Sequence, residues 1–147
     1  MDYAKLGLRV GLEIHQQLNS GTKLFCRCPI MRSEEFPIEV RRKLRAVPGE
    51  LGDVDPAALQ EYLKNKTFVY KSNQESSCLV EIDDDPPKAM NEKALKTTIQ
   101  MNKLLHCHIV DEIHVMRKTV VDGSSVSGFQ RTSLIGKDGY IEGNFGK

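Results

Sequence analysis

The sequence predicts an α+β fold, on three observations. Residues 8–15 alternate strictly between an apolar parity and an open one, the period of a half-buried strand. Two segments, opening at Asp55-Pro56 and at Asn91, carry helix-start chemistry followed by helical apolar spacing. Strand-like and helix-like stretches then follow one another without an internal repeat. A mixed or antiparallel sheet with two or three helices is expected, in one domain covering residues 1–147.

In the opening strand Leu8, Val10, Leu12 and Ile14 fall on one parity, and Arg9, Gly11, Glu13, His15 and Gln17 on the other. The first set would face a core. The second aligns a carboxylate and an imidazole on one face, where they can share a divalent cation, act as a base and its orienter, or form only the wet side of the strand. Gly11 would let a ligand approach the backbone closely. Asn19-Ser20-Gly21 is a turn and residues 22–26 resume an extended run, which together predict a hairpin. Pro37 suits the first turn of a short helix over 38–44, which Pro48-Gly49 then breaks. A clearer helix has Asp55 as N-cap, Pro56 at its first position, and Leu59, Tyr62 and Leu63 as its apolar side.

Residues 68–70 predict a strand, 72–77 a polar loop, and 78–82 another strand ended by acidic residues and Pro86-Pro87. The best helix starts at Asn91, a good N-cap. Glu92 suits the positive end of the dipole, and Met90 with Leu95 fits a hydrophobic staple. Ala94, Leu95, Thr98, Ile99, Met101 and Leu105 make its core-facing stripe. His106-Cys107-His108 leads into a strand from 109 to about 121. Asp122-Gly123-Ser124-Ser125 is turn-rich, 128–135 is extended, and Lys137-Asp138-Gly139 turns into a strand at 140–142. That return strand has only begun when the sequence stops, which predicts a fold incomplete at its C-terminus with an unpaired sheet edge at 134–147.

Charges nearly cancel, 21 Lys and Arg against 20 Asp and Glu, so the overall balance argues for neither a nucleic acid nor a membrane partner. No apolar run is long enough to cross a bilayer, and Met1-Asp2-Tyr3-Ala4-Lys5 does not begin a signal peptide; a cytoplasmic location is expected. The four cysteines then read as thiols or metal ligands, not as a disulfide framework. Locally, Arg41-Arg42-Lys43-Leu44-Arg45 is basic and Glu81-Ile82-Asp83-Asp84-Asp85 is acidic. Each is either a solvated face or a contact surface, for a phosphate backbone in the first case and for a cation or partner in the second. There is no Gly-x-x-x-x-Gly-Lys-Ser/Thr loop and no Gly-x-Gly-x-x-Gly. His106, His108 and His114, the last sharing parity with Glu112, read as polar strand or helix-end residues ahead of metal ligands.

The run Gly11-Leu12-Glu13-Ile14-His15-Gln16-Gln17-Leu18, followed by Thr22-Lys23-Leu24-Phe25-Cys26-Arg27-Cys28-Pro29, resembles the N-terminus of the GatB/GatE family of tRNA-dependent amidotransferase subunits. Three later segments resemble its archaeal E-type branch. They are Ser77-Cys78-Leu79-Val80-Glu81 with Pro86-Pro87, then Val110-Asp111-Glu112-Ile113-His114-Val115-Met116-Arg117-Lys118, and Asp122-Gly123-Ser124 with Ser127-Gly128-Phe129-Gln130-Arg131-Thr132. The likeness covers nearly the whole chain and is weakest over 31–72.

The resemblance implies part of a subunit that uses ATP to activate the side-chain carboxylate of glutamate on mischarged tRNA(Gln) and replaces the phosphate with ammonia. A separate amidohydrolase subunit, the D subunit in archaea, would supply that ammonia. It further implies Mg²⁺ at Glu13 and His15, with the other carboxylate ligands beyond residue 147, so that this stretch alone is inactive. Lys118 and Gln130 are weaker candidates for contact with the substrate or with cofactor phosphate. Related chains hold Zn²⁺ with four cysteines near this hairpin. Here Cys26-x-Cys28 and Cys78 supply three, Glu75-Ser76-Ser77-Cys78 offers only one thiol where a Cys-x-x-Cys pair would stand, and Glu75 is a candidate to complete the set. Cys107 reads as a small buried apolar residue. The competing reading is a small zinc-stabilised module that binds RNA or protein without catalysis.

Overall fold

A computed structural model describes residues 5–7, 9, 11–46, 48, 52–120 and 128–144, apart from the side chains of Ala57 and Thr119. It is α+β, as predicted. Strand β1 (Ile38–Lys43), helix α1 (Pro56–Leu63), strand β2 (Thr67–Ser72), helix α2 (Glu92–Leu104) and strands β3 (His108–Ile109), β4 (Met116–Thr119), β5 (Phe129–Thr132) and β6 (Gly136–Lys137) follow in order. Among the described residues the strands pair antiparallel as three ribbons, β1–β2, β4–β5 and β3–β6.

Both helices start where the sequence places them, because capping is local chemistry. Asp55 Oδ1 accepts from the Ala58 N–H at 3.2 Å, and Asn91 Oδ1 from the Ala94 N–H at 3.0 Å. On α2, Ala94 is buried and Leu95, Thr98 and Ile99 are half-buried, whereas Met101 and Leu105 stay exposed, so the packed stripe is shorter than expected.

Residues 38–44 do not form the expected helix. Ile38, Val40 and Arg42 are half-buried and alternate with exposed Glu39, Arg41 and Lys43, a period of two that suits a ribbon packed on one side. Their partners Ser72, Tyr70 and Phe68 share the inward face. The β-branched residues and this pairing outweigh the preference of Pro37 for a helix start.

Residues 78–82 are not a strand either. They open a chain of turns, with Glu81 N–H donating to Cys78 O at 3.0 Å, Asp83 N–H to Val80 O at 3.3 Å and Asp84 N–H to Leu79 O at 2.9 Å. Val80 and Ile82 enter the core, and Asp83 takes a left-handed φ of 63°, which aspartate tolerates better than most residues.

The largest departure is the opening segment. Residues 11–20 form no strand, and Leu12 and Ile14 are 86% and 77% exposed. Alternation creates a strand only where a neighbouring edge satisfies the backbone, and these residues have no such edge among the described ones. Residues 8 and 10 of that expected strand lie outside the described residues. In the hairpin that follows, Thr22 bridges Pro29, Lys23 N–H donates to Cys28 O at 2.9 Å, and Ile30 N–H donates to Gly21 O at 3.1 Å.

The expected strand over 109–121 is two pieces, β3 and β4, broken at 110–115. Its last residue and the turn-rich stretch at 122–125 lie outside the described residues, as do Gly49 and 145–147. Residues 140–142 form no strand; the turn at Asp138, with φ of 57°, instead follows β6, which pairs with β3.

The apolar core is small: Phe25, Cys26, Ala58, Val80, Ile82, Ala94, Phe129 and Ile135. An ion cluster joins its parts. Asp83, 7% exposed, accepts from Arg42 Nη2 at 3.2 Å, Arg117 Nε at 2.9 Å and Arg131 Nη2 at 3.0 Å, and these three side chains are 11%, 15% and 14% exposed. Arg42 comes from β1, and Arg117 and Arg131 stand directly opposite each other on β4–β5. Arg45 completes the rim, with Nη1 on Asp83 O at 2.9 Å and Nη2 on Asp84 Oδ1 at 2.7 Å. Replacing Asp83 by Asn would leave three largely buried guanidiniums around a neutral group. The D83N chain is therefore expected to lose about 3–5 kcal/mol in urea unfolding, the range for breaking a buried ion pair on one side.

Candidate functional site

Three thiols meet on two segments distant in sequence. Cys26 and Cys28 come from the folded-back loop of the 22–29 hairpin, and Cys78 from the start of the turn chain. Their sulfurs all lie within 4.8 Å of one another. Backbone bonds fix the loop: Lys88 N–H donates to Phe25 O at 2.8 Å and Asn91 N–H to Leu24 O at 2.9 Å. Lys23 Nζ crosses to the other segment and donates to Ser76 O at 2.6 Å. Glu81 lies beside one of the sulfurs, its Oε1 3.5 Å from Cys26 Sγ.

Burial pushes the Cys26 thiol up to about 12, and the neighbouring Cys78 and Glu81 charges add to the effect. Burial likewise raises Cys28, which also hydrogen-bonds Cys78. Left to themselves Cys26 and Cys28 hold their protons at neutral pH. A divalent cation reverses that balance, because its charge stabilises the thiolates it binds. Three soft donors this close are a donor set for Zn²⁺ and a poor one for Mg²⁺. Cys107 is half-buried and stands outside the group. Glu75 is exposed and lines an open cleft beside the three cysteines.

Glu13 and His15 touch each other in the exposed opening segment, with Nε2 of His15 3.1 Å from Oε1 of Glu13. The pair offers a hard oxygen and an imidazole side by side, although no strand presents them. Glu13 can supply one ligand to Mg²⁺ and His15 can orient a metal-bound water. Lys118 and Gln130 are register partners across β4–β5, Lys118 exposed and Gln130 half-buried, on the parity opposite Arg117 and Arg131. His114 approaches Glu112 at 3.5 Å with both side chains exposed, and His106 stacks on Tyr140 with ring centroids 4.6 Å apart.

The basic run at 41–45 is mostly committed within the fold. Arg42 and Arg45 bind the Asp83–Asp84 turn, Arg41 pairs with Glu39 at 2.6 Å, and Lys43 donates to Asn65 O at 2.8 Å. Sequence reasoning missed Asp83 as the partner of Arg42, Arg117 and Arg131. The available signal was the basic run itself, because an alternating strand there sends Arg42 inward, where it needs a carboxylate. A cavity of about 350 Å³ lies between the thiol loop and β5, with Lys23, Glu81 and Arg131 as its charged lining. Among the described residues no helix is long and apolar enough to cross a membrane.

Comparison with known proteins gives a consistent family. Residues 8–146 match the model of the GatB/GatE catalytic domain. The chain is 51% identical over 147 residues to a protein of Methanococcus vannielii named as the E-type subunit of glutamyl-tRNA(Gln) amidotransferase, with 99% of this chain and 23% of that protein aligned. Proteins of the same name from Sulfurisphaera tokodaii and Methanobrevibacter smithii are 51% and 50% identical, over 98% and 100% of this chain and 23% and 24% of their own lengths. The chain thus spans about a quarter of the length of these curated relatives. With nearly all of its residues inside one matched region, the chain belongs to the GatB/GatE catalytic domain family.

Proposed function

We propose that residues 1–147 are part of the catalytic domain of an ATP-dependent amidotransferase subunit that converts glutamate on mischarged tRNA(Gln) into glutamine. One observation carries the reading: about half of the residues are identical, end to end, to proteins named for that substrate. In the reaction a γ-carboxylate oxygen of the glutamate attacks the terminal phosphorus of ATP, ADP leaves, and the acyl phosphate forms. Ammonia then attacks that carbonyl carbon, and phosphate departs with the activating oxygen. The ammonia would come from a separate amidohydrolase subunit, and a tRNA substrate suits a cytoplasmic protein.

Bringing an anionic phosphoryl group against an anionic carboxylate requires charge neutralisation, which Mg²⁺ supplies. Glu13 is the proposed ligand from this chain and His15 the neighbour that orients a metal-bound water. Their mutual contact and the exposure of both side chains support the assignment. Lys118 and Gln130, facing each other across one ribbon, are the proposed contacts to phosphate or substrate. Zn²⁺ on Cys26, Cys28 and Cys78 has a structural part: it would pin the hairpin to the turn that presents Asp83.

With the complete subunit, its ammonia-producing partner, ATP and glutamyl-tRNA(Gln), a Glu13→Gln variant should lose about 10²–10³ in turnover while its melting curve stays unchanged, as for loss of a group that stabilises transition-state charge. Wild-type turnover in that variant would remove Glu13 from the mechanism. The thiols give a second expectation. A folded chain that holds the Cys26 proton up to about 12, against 9.0 for the free thiol, binds a proton that the unfolded chain has released. The stability of the metal-free chain should therefore fall as pH rises through that window, and Cys26→Ala should flatten the fall in urea melts.

A further inference from the structure

We infer that Glu81 is the fourth ligand of the metal site, so that this chain closes it with three thiolates and one carboxylate. The inference rests on the zinc reading of Cys26, Cys28 and Cys78 and identifies what replaces the missing cysteine.

Three observations converge on Glu81. Cys78 and Glu81 bracket a turn closed by the Glu81 N–H to Cys78 O bond of 3.0 Å, which gives them the separation of a Cys-x-x-Cys pair, read downstream of Cys78 instead of upstream. Oε1 of Glu81 lies 3.5 Å from Cys26 Sγ. That matches the sulfur–oxygen edge of a tetrahedron with Zn–S of about 2.3 Å and Zn–O of about 2.0 Å, which is about 3.5 Å long. Finally, Lys23 Nζ holds the carboxylate at 2.6 Å from Oε1 and 2.8 Å from Oε2 and is itself anchored on Ser76 O at 2.6 Å. An oriented carboxylate with a hydrogen-bond partner behind it is the usual arrangement around a metal-ligating acid.

The charges agree. Zn²⁺ with three thiolates carries one negative charge and with Glu81 two, and the Lys23 ammonium offsets one of them. Binding releases the three thiol protons. As the side chains stand, the carboxylate sits beside Cys26 and outside the group formed by the three sulfurs. Ligation therefore requires the Glu81 side chain to rotate toward Cys28 and Cys78, with the Lys23 ammonium following the carboxylate. Glu75, at the position where a Cys-x-x-Cys pair would begin, is exposed at the mouth of the cleft and has no comparable anchor among the described contacts.

Cobalt(II) spectroscopy of the full chain, with zinc affinity from competition against a chromophoric chelator, tests the assignment. Wild type should give tetrahedral ligand-field bands and a thiolate-to-cobalt charge-transfer band of three-thiolate strength. Glu81→Gln should keep that charge-transfer strength, alter the ligand-field bands and weaken zinc binding by at least about tenfold, and Lys23→Met should weaken it about 10–100-fold by freeing the carboxylate. Glu81→Cys should raise the charge-transfer band by about a third, four thiolates in place of three. Glu75→Gln should match wild type. A Glu81→Gln chain with wild-type affinity and spectrum would overturn the assignment, as would a loss confined to Glu75→Gln. A wild-type chain with no charge-transfer band would overturn the zinc reading itself, an outcome distinct from a normal band indifferent to Glu81.

Discussion

The convergence of Arg42, Arg117 and Arg131 on Asp83 is the constraint from which the rest of the arrangement follows. Arg117 and Arg131 stand opposite each other on paired strands, a placement that like charges oppose. Asp83 removes the conflict by accepting from both, one through each carboxylate oxygen, and its second acceptor position on Oδ2 takes Arg42 from the other ribbon. Among the described residues the two ribbons share no backbone pairing, so this carboxylate is their polar joint. Such a cluster is costly to desolvate, and Arg42 Nη1 and Arg131 Nε remain buried within it without a hydrogen-bond partner.

That joint also governs the thiols. Asp83 can reach its partners only because the chain from Cys78 onward turns repeatedly and then enters the left-handed region. The same turns set the direction of Cys78 and Glu81. The hairpin on the other side is held by Lys23, by two backbone bonds and by the Asn91 side chain. The thiol cluster is therefore built from loops whose shape is imposed by charge pairing and backbone bonding, with a modest apolar core behind them.

What could be read in the sequence divides along the same line. Asp55 and Asn91 were legible because a cap is decided within four residues. The thiol spacing was legible because Cys26-x-Cys28 is itself local. Residues 38–43 and 78–85 were not, since a strand needs a partner and a turn chain needs a reason to turn, and both reasons lie elsewhere in the chain: Phe68 and Tyr70 for the first, three arginines for the second. The charged runs at 41–45 and 81–85 were visible separately, but no local pattern says that they meet. Residues 11–15 carry the alternation of a strand without a neighbouring edge among the described residues, so Glu13 and His15 keep their mutual contact while the sheet face expected to present them is not formed.

Asn91 ties two of these features through a single amide. Its Oδ1 accepts from Ala94 to begin α2, while its Nδ2 donates to Thr22 Oγ1 at 2.6 Å and Thr22 O at 3.2 Å in the hairpin. Fraying of the helix start and loosening of the cysteine loop are thereby one event. The two should exchange their amide hydrogens as a single cooperative unit, and anything that grips the loop will quieten a helix end it never touches.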